Sequence, residues 1–303
     1  MSKYRGGRFK SYTTGQRLNI DDLKTRQSVK RFEVDRIGEG AGKVEDYIAT
    51  EEPLEIRLAH TSSDGKRNEQ SISITMRTPG NDEELAVGFL YTEGIITTKE
   101  DVRSVAPCGP PAPNGLINVI KVELAPNVRV DLDRLERHFY TSSSCGVCGK
   151  SSLEAVAVQG RYNLHTLDLS ISAAKLGSIP DMLGEGQTVF KRTGGLHACG
   201  LFDISGNVLA IREDVGRHNA LDKLIGQALL SNELPLSDYG IIVSGRASFE
   251  LMQKAMMAGV PLLAAVGAPS SLAVELAEEF GMTLIGFLKK DKFNIYTRSD
   301  RIR

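Results

Sequence analysis

The stretch Ile241-Ile-Val243-Ser244-Gly-Arg246-Ala-Ser248, followed by a helix through Met257 and then by Val260-Pro-Leu-Leu-Ala-Ala-Val266, decides the fold. Each apolar run ends in glycine and hydroxyl residues that suit the start of a helix. The pattern then repeats: Gly267-Ala-Pro-Ser-Ser271 opens a helix that ends at Gly281, and Thr283 to Leu288 reads as the next strand. Apolar strands alternating with amphipathic helices imply a largely parallel sheet covered on both faces. Upstream, Asp214-Val-Gly-Arg217-His218 leads into a helix with Leu221, Leu224, Ile225 and Leu229 on one face. His197 to Asp203 and Val208 to Ile211 flank Ser205-Gly206-Asn207, a hairpin signal.

The N-terminal half has a different texture. Leu54-Glu-Ile-Arg-Leu58 and Ser71-Ile-Ser-Ile-Thr-Met76 alternate around the turn residues Ser63-Asp-Gly65, which predicts an antiparallel hairpin. A helix follows. Asn81 can cap it, Asp82, Glu83 and Glu84 suit the positive end of its dipole, Leu85, Phe89 and Leu90 form its stripe, and Gly94 stops it. Ile117 to Leu124 and Val128 to Leu132 read as further strands. The expected organisation is a flexible tail over 1–45, a small α+β domain over 46–140, a cysteine loop with a connecting segment over 141–186, and an α/β domain over 187–303.

Composition narrows the function classes. The chain has 303 residues with 37 basic against 38 acidic side chains, a net charge of -1, so no global field draws it to nucleic acid or to a membrane surface. Met1-Ser-Lys-Tyr-Arg lacks the apolar core of a signal peptide, and no apolar run is long enough to span a bilayer. Four cysteines are too few for a disulfide scaffold and read as free thiols in a reducing cytoplasm.

Two of those cysteines stand in Thr141-Ser-Ser-Ser-Cys145-Gly-Val-Cys148-Gly149-Lys150. The small, flexible neighbours expose a thiol, and Lys150 with a helix start at Ser151 or Ser152 favours the nucleophilic thiolate. A zinc site would have to conscript Cys108, Cys199 or His197, because no second Cys-x-x-Cys or His pair is present. A thioredoxin-type dithiol expects a strand before the pair, and a P-loop expects glycine where Ser144 stands. An inert loop is the bland alternative, and a reactive pair is favoured over it. The second constellation is the set of junctions Gly216-Arg217-His218, Ser244-Gly245-Arg246 and Gly267-Ala-Pro-Ser-Ser271. Helix N-termini, hydroxyls and the guanidinium groups of Arg217 and Arg246 on one sheet edge suit a phosphorylated ligand such as a nucleotide. His218 is the better histidine candidate there; His197 and Cys199 make a weaker case.

These motifs, together with Thr193-Gly-Gly195 and His197, Glu213-Asp-Val-Gly-Arg-His-Asn-Ala-Leu-Asp-Lys223, Ser244-Gly-Arg-Ala-Ser-Phe-Glu250 and Gly286-Phe287, resemble the formate dehydrogenase accessory sulfurtransferases, the FdhD family, over about residues 46 to 303. The resemblance implies an α/β protein, its larger C-terminal domain cytidine-deaminase-like, that acts as a cytoplasmic homodimer. It implies that the chain accepts sulfur from a cysteine desulfurase as a persulfide on Cys145, with Cys148 assisting. The sulfur would pass to the bis-guanine-dinucleotide form of the molybdenum cofactor before its insertion into formate dehydrogenase. The guanine-dinucleotide segment matches Phe287, Leu288, Lys289, Lys290, Asp291 and Lys292, with Lys290-Asp291-Lys292 where other members carry Pro-Gly-Arg. No structural metal is expected. Two other classes compete: a non-catalytic cofactor chaperone, which would not need Cys145, and a zinc deaminase. The latter needs His-x-Glu and Pro-Cys-x-x-Cys, where this chain has Cys199 after His197-Ala and Ser144 before Cys145.

Overall fold

The computed structural model describes residues 27–62, 65–130 and 162–303, and among these the strands form three sheets. The predicted hairpin is present as β3 (Glu52–Thr61) and β4 (Arg67–Arg77), paired antiparallel. Alternation explains it: Leu54, Ile56 and Leu58 all point into the core. β6 (Val119–Leu124) joins β3 in parallel, and β5 (Val102–Pro107), which carries no strong alternation of its own, completes the order β4-β3-β6-β5. Residues 128–130 are not a strand; the rest of the strand expected over Val128 to Leu132 lies outside the described residues. Residues 29–45 do not form a simple tail. β1 (Val29–Arg36) and β2 (Gly42–Ala49) pair as an antiparallel arm, and Tyr47 of β2 lies under the Arg192 guanidinium at 4.7 Å.

Helix α1 (Asp82–Thr92) covers the four-stranded sheet and stops at Gly94, whose φ is 76°. Asn81 sits at its start in the left-handed region, φ 59°, and caps with its backbone carbonyl rather than its side chain. The acidic first turn is spent on tertiary pairs. Asp82 takes a two-pronged contact from buried Arg77 at 3.1 and 2.9 Å, and Glu84 takes another from Arg212.

The C-terminal sheet has the order β12-β11-β10-β9-β7-β8. β9 (Tyr239–Val243), β10 (Leu262–Ala265) and β11 (Thr283–Lys289) run parallel, as the opening stretch predicts. The sheet as a whole is mixed rather than largely parallel. The hairpin turn at Gly206, φ 85°, reverses β7 (His197–Asp203) into β8 (Val208–Asp214), and a turn at Lys290 and Asp291 reverses β11 into β12 (Lys292–Thr297). Both faces are covered. Ile241, Val243, Leu263, Ala265 and Leu284 face α4 (Arg217–Leu230), α5 (Phe249–Met257) and α6 (Ser271–Glu279). Ile242, Leu262, Ala264 and Ile285 face α2 (Ala173–Gly186), which buries Leu176, Ile179 and Leu183 against them. The chain then makes a single turn of helix, α3 (Phe190–Thr193), before β7.

The core under α1 runs without a break into the core under α4. Gly88 on α1 and Gly226 on α4 let the two helices meet, since a β-carbon at either would fall on the other helix's backbone. Two buried ion-pair systems cross the same seam. Lys223 pairs with Asp214 at 2.6 Å, while Asp214 also accepts the Thr78 N–H at 3.1 Å. Lys254 pairs with Asp222 at 3.0 Å and Glu93 at 3.1 Å, and donates to Thr92 at 2.9 Å.

Candidate functional site

Because β7 is antiparallel to both β8 and β9, the carboxyl ends of β8, β9, β10 and β11 share one edge of the sheet. The loops leaving that edge are laced together. Gly267 N–H donates to the Gly245 carbonyl at 2.9 Å, Ala247 N–H to Ala268 at 3.1 Å, and Ser270 N–H to Ala247 at 2.9 Å. Phe287 N–H donates to the Gly267 carbonyl at 3.0 Å. The junction 216–218 adjoins them through His197, which pairs in register with Asp214 and whose ring lies against Gly245. The edge thus gathers Arg217, His218, Ser244, Arg246 and Phe287, residues distant in sequence.

Their roles differ. Arg246 is exposed. Arg217 and His218 begin α4, and Arg217 Nε and His218 Nε2 are both buried without a hydrogen-bond partner among the described residues. His218 Nε2 lies 3.9 Å from the Glu250 carboxylate, beyond hydrogen-bonding range. Burial, then the charges of Arg217 and Lys254, push the His218 pKa down to about 4, so the ring is neutral near neutral pH. His197 is lowered as well, by burial first and by Arg217 second. Ser244 accepts the Ala198 N–H at 2.9 Å, which ties the end of β9 to β7 and leaves its own hydroxyl proton to donate.

The segment 287–292 is the tip of the β11–β12 hairpin. Phe287 is 46% exposed and has φ 53°, a conformation that is strained for an aromatic residue and holds its ring outward. Leu288 points the other way, fully buried in the core beneath α2. Lys289, Lys290, Asp291 and Lys292 are exposed. α2, in the stretch expected as a connecting segment, comes down on this tip: Gly177 abuts the Lys290 carbonyl with no room for a side chain. Cys145 and Cys148 lie outside the described residues. Cys199 is buried, and burial pushes its thiol well above the ordinary range, so it is chemically quiet. Among the described residues no group of three or more His, Cys, Asp or Glu side chains could hold a metal ion, and no helix is long and apolar enough to cross a membrane.

Much of the motif Glu213 to Lys223 builds the site without facing it. Asp214 accepts from Gly216 N–H at 2.8 Å and Asn219 at 3.2 Å, Asn219 donates to the Met76 carbonyl at 2.8 Å, and Lys223 donates to the Thr78 carbonyl at 2.8 Å. Glu213, raised by burial, accepts the N–H groups of Val189 and Phe190 at 3.0 and 2.8 Å and so fixes the start of α3. Sequence reasoning missed the consequence. A pocket of about 520 Å³ opens between α2, α3 and the ends of β7, β9 and β10, with Gln187, His197 and Ser244 as its polar lining. The spacing of Leu176, Ile179 and Leu183 was the signal that could have located its α2 wall.

This α/β architecture, with its lacing of loops on one sheet edge, defines a class whose members can be compared directly. The chain belongs to the FdhD/NarQ family, whose profile matches residues 49–303. A sulfur carrier protein FdhD from Mycolicibacterium paratuberculosis is 54% identical over 261 residues, covering 85% of this chain and 92% of that protein. A sulfur carrier protein FdhD from Sulfurisphaera tokodaii is 44% identical over 275 residues, covering 90% of this chain and 99% of that protein. A crystal structure of a protein from Desulfotalea psychrophila, described as a putative formate dehydrogenase accessory protein, superposes with a TM-score of 0.66 at 25% identity, covering 91% of this chain and 98% of that one.

Proposed function

We propose that this chain is a sulfur carrier that serves formate dehydrogenase. Cys145 takes sulfur from a cysteine desulfurase and passes it to the molybdenum cofactor, in its bis-guanine-dinucleotide form, held on the sheet edge. The observation that supports this most is the convergence of the four junctions 216–218, 244–246, 267–271 and 287–292 in a relative of sulfur carrier proteins. In the loading step the Cys145 thiolate attacks the terminal sulfur of the donor's persulfide. The donor S–S bond breaks, the donor cysteine leaves as a thiolate, and the new S–S bond stands on Cys145.

The cofactor is the acceptor of that sulfur, and its diphosphates match the edge chemistry. Arg217 and Arg246 supply guanidinium groups, the N-termini of α4, α5 and α6 face the same way, and Arg217 Nε is a buried donor with no acceptor among the described residues. The neutral His218 can donate or accept without adding charge. The antiparallel pair β7–β8 leading into parallel β9–β10–β11 supports reading residues 187–303 as a cytidine-deaminase-like domain, and we extend the reading to a cytoplasmic homodimer. Formate dehydrogenase activity in cells that depend on this chain tests the assignment. Wild type restores activity and Cys145→Ala does not; restoration by Cys145→Ala would leave a chaperone that holds the cofactor without carrying sulfur.

A further inference from the structure

The ribbon of β1 and β2 has two unlike faces. Residues paired across it share a face, so Arg31, Glu33, Lys43, Glu45 and Tyr47 lie on one side, and Phe32, Val34, Val44 and Ile48 on the other. The first side is fully engaged. Arg31 pairs with Glu45 at 3.2 Å and Lys43 with Glu33 at 2.8 Å, while at the base Tyr47 lies under Arg192 and Ala49 packs against Gly195, which fixes the ribbon to α3 and the loop after it. The second side faces away from that anchor. Phe32 is 49% and Ile48 42% exposed, and none of the four apolar residues joins either core among the described residues. A two-stranded ribbon is marginal in water unless its apolar face is covered. A matching strip lies on the outer face of the N-terminal sheet, where Ile74 and Met76 of the edge strand β4 are 69% and 47% exposed beside Pro53. Size decides what can cover the ribbon. Eight residues per strand at about 3.4 Å each, in two strands about 5 Å apart with their side chains, give a face of roughly 270 Å² in projection. Two ribbons packed on each other would hide roughly 540 Å², well short of the roughly 1,200 Å² at which stable interfaces begin. Two ribbons each laid on the other chain's body hide about twice that, which reaches the threshold once side-chain relief is counted.

We propose that a second copy of this chain covers the ribbon: in a two-fold pair, the Phe32–Ile48 face of each ribbon lies on the Ile74–Met76 strip of the other copy. The proposal rests on the homodimer reading above and gives it a surface, a self-complementary embrace in which the same two patches meet twice. The test is analytical ultracentrifugation of the full chain, with far-UV circular dichroism to confirm that each variant is folded. Wild type should sediment as a dimer at micromolar concentration. A ribbon variant, Phe32→Asp with Ile48→Asp, and a strand variant, Ile74→Asp with Met76→Asp, should each raise the dissociation constant at least about a hundredfold, because both contacts then bury unpaired carboxylates. Mixing the two variants should restore part of the affinity. In the mixed pair one contact joins an unaltered ribbon to an unaltered strip, and only the other is damaged. Dimers that persist in both variants, or a mixture no tighter than the variants alone, overturn the embrace and spare the homodimer reading. A ribbon variant that keeps the wild-type mass but speeds hydrogen exchange in residues 1–26 gives the face to that segment instead and likewise overturns it. A wild type that stays monomeric at about 100 μM removes the embrace and the homodimer together, while the persulfide on Cys145, read separately by mass, stands or falls on its own.

Discussion

Lys254→Met is the sharpest probe of how the two halves of the chain are joined. Lys254 is buried and bonds to Asp222 at 3.0 Å, Glu93 at 3.1 Å and Thr92 at 2.9 Å, with its ammonium 5.5 Å from the Phe89 ring. Methionine fills the same space but leaves Asp222 buried with no cation. Glu93 is partly exposed and keeps much of its hydration. Removing one partner of a buried pair typically costs about 3–5 kcal/mol, so the melting temperature should fall by roughly 5–10 °C. The pH dependence is more specific. Burial already lifts Asp222 from its ordinary value to about 6 against the pull of Lys254. A carboxyl raised on folding makes the native state lose stability as pH rises from the unfolded value to the folded one, after which the curve is flat. Without Lys254 the folded value rises further, so the variant should keep losing stability above pH 6 where wild type does not. Urea unfolding from pH 5 to pH 8 reads this directly, and adding Asp222→Leu should restore most of the loss. A deficit under about 1 kcal/mol at pH 7 with no dependence on pH would refute the claim that this pair is a dry, stressed link.

Three further outcomes are expected. Arg246→Ala should weaken GDP binding by about ten- to a hundredfold in calorimetry, the usual loss for a charge-assisted hydrogen bond; unchanged affinity would remove Arg246 from the phosphate site. The His218 ring should titrate near pH 4, so the stability it contributes is present above pH 6.5 and is lost as pH falls toward 4, with Arg217, Lys254, Glu250 and Glu93 as the charges around it. An NMR-measured value at or above 6.5 would contradict the buried setting. Phe287→Gly should relieve about 1 kcal/mol of left-handed strain while weakening guanine-nucleotide binding, two effects of opposite sign. A variant that binds normally would show that the exposed ring serves no ligand.

The C-terminal sheet was legible because β9, β10 and β11 are buried on both faces and leave continuous apolar runs. The edge strands were harder. β12 alternates Phe293 and Ile295 against exposed neighbours at the molecule's margin, and β1 carries Lys30, Arg31, Glu33 and Asp35 in a stretch that reads as polar tail. α2 was hidden for another reason: Gly177 and Pro180 lower its helix propensity, and only its packing on β11 and β7 makes it a helix. The junctions 216–218, 244–246 and 267–271 could be placed at strand ends because glycine and hydroxyl residues after apolar runs suit the start of a helix. Glu213 could not be read, since a lone carboxylate acquires meaning only when folding shows what it bonds. Asp214, Asn219 and Lys223 likewise show only in the fold that they bolt the C-terminal sheet to the N-terminal one, through Thr78 and Met76.

The central claim is that Cys145 carries sulfur. Intact-protein mass spectrometry after incubation with a cysteine desulfurase and cysteine, followed by peptide mapping, measures it most directly. Wild type should gain sulfur that a reductant removes and that maps to Cys145; Cys148→Ala should retain at least part of it, and Cys145→Ala none. Undiminished sulfur on Cys145→Ala, or a wild type that never loads, would contradict the account.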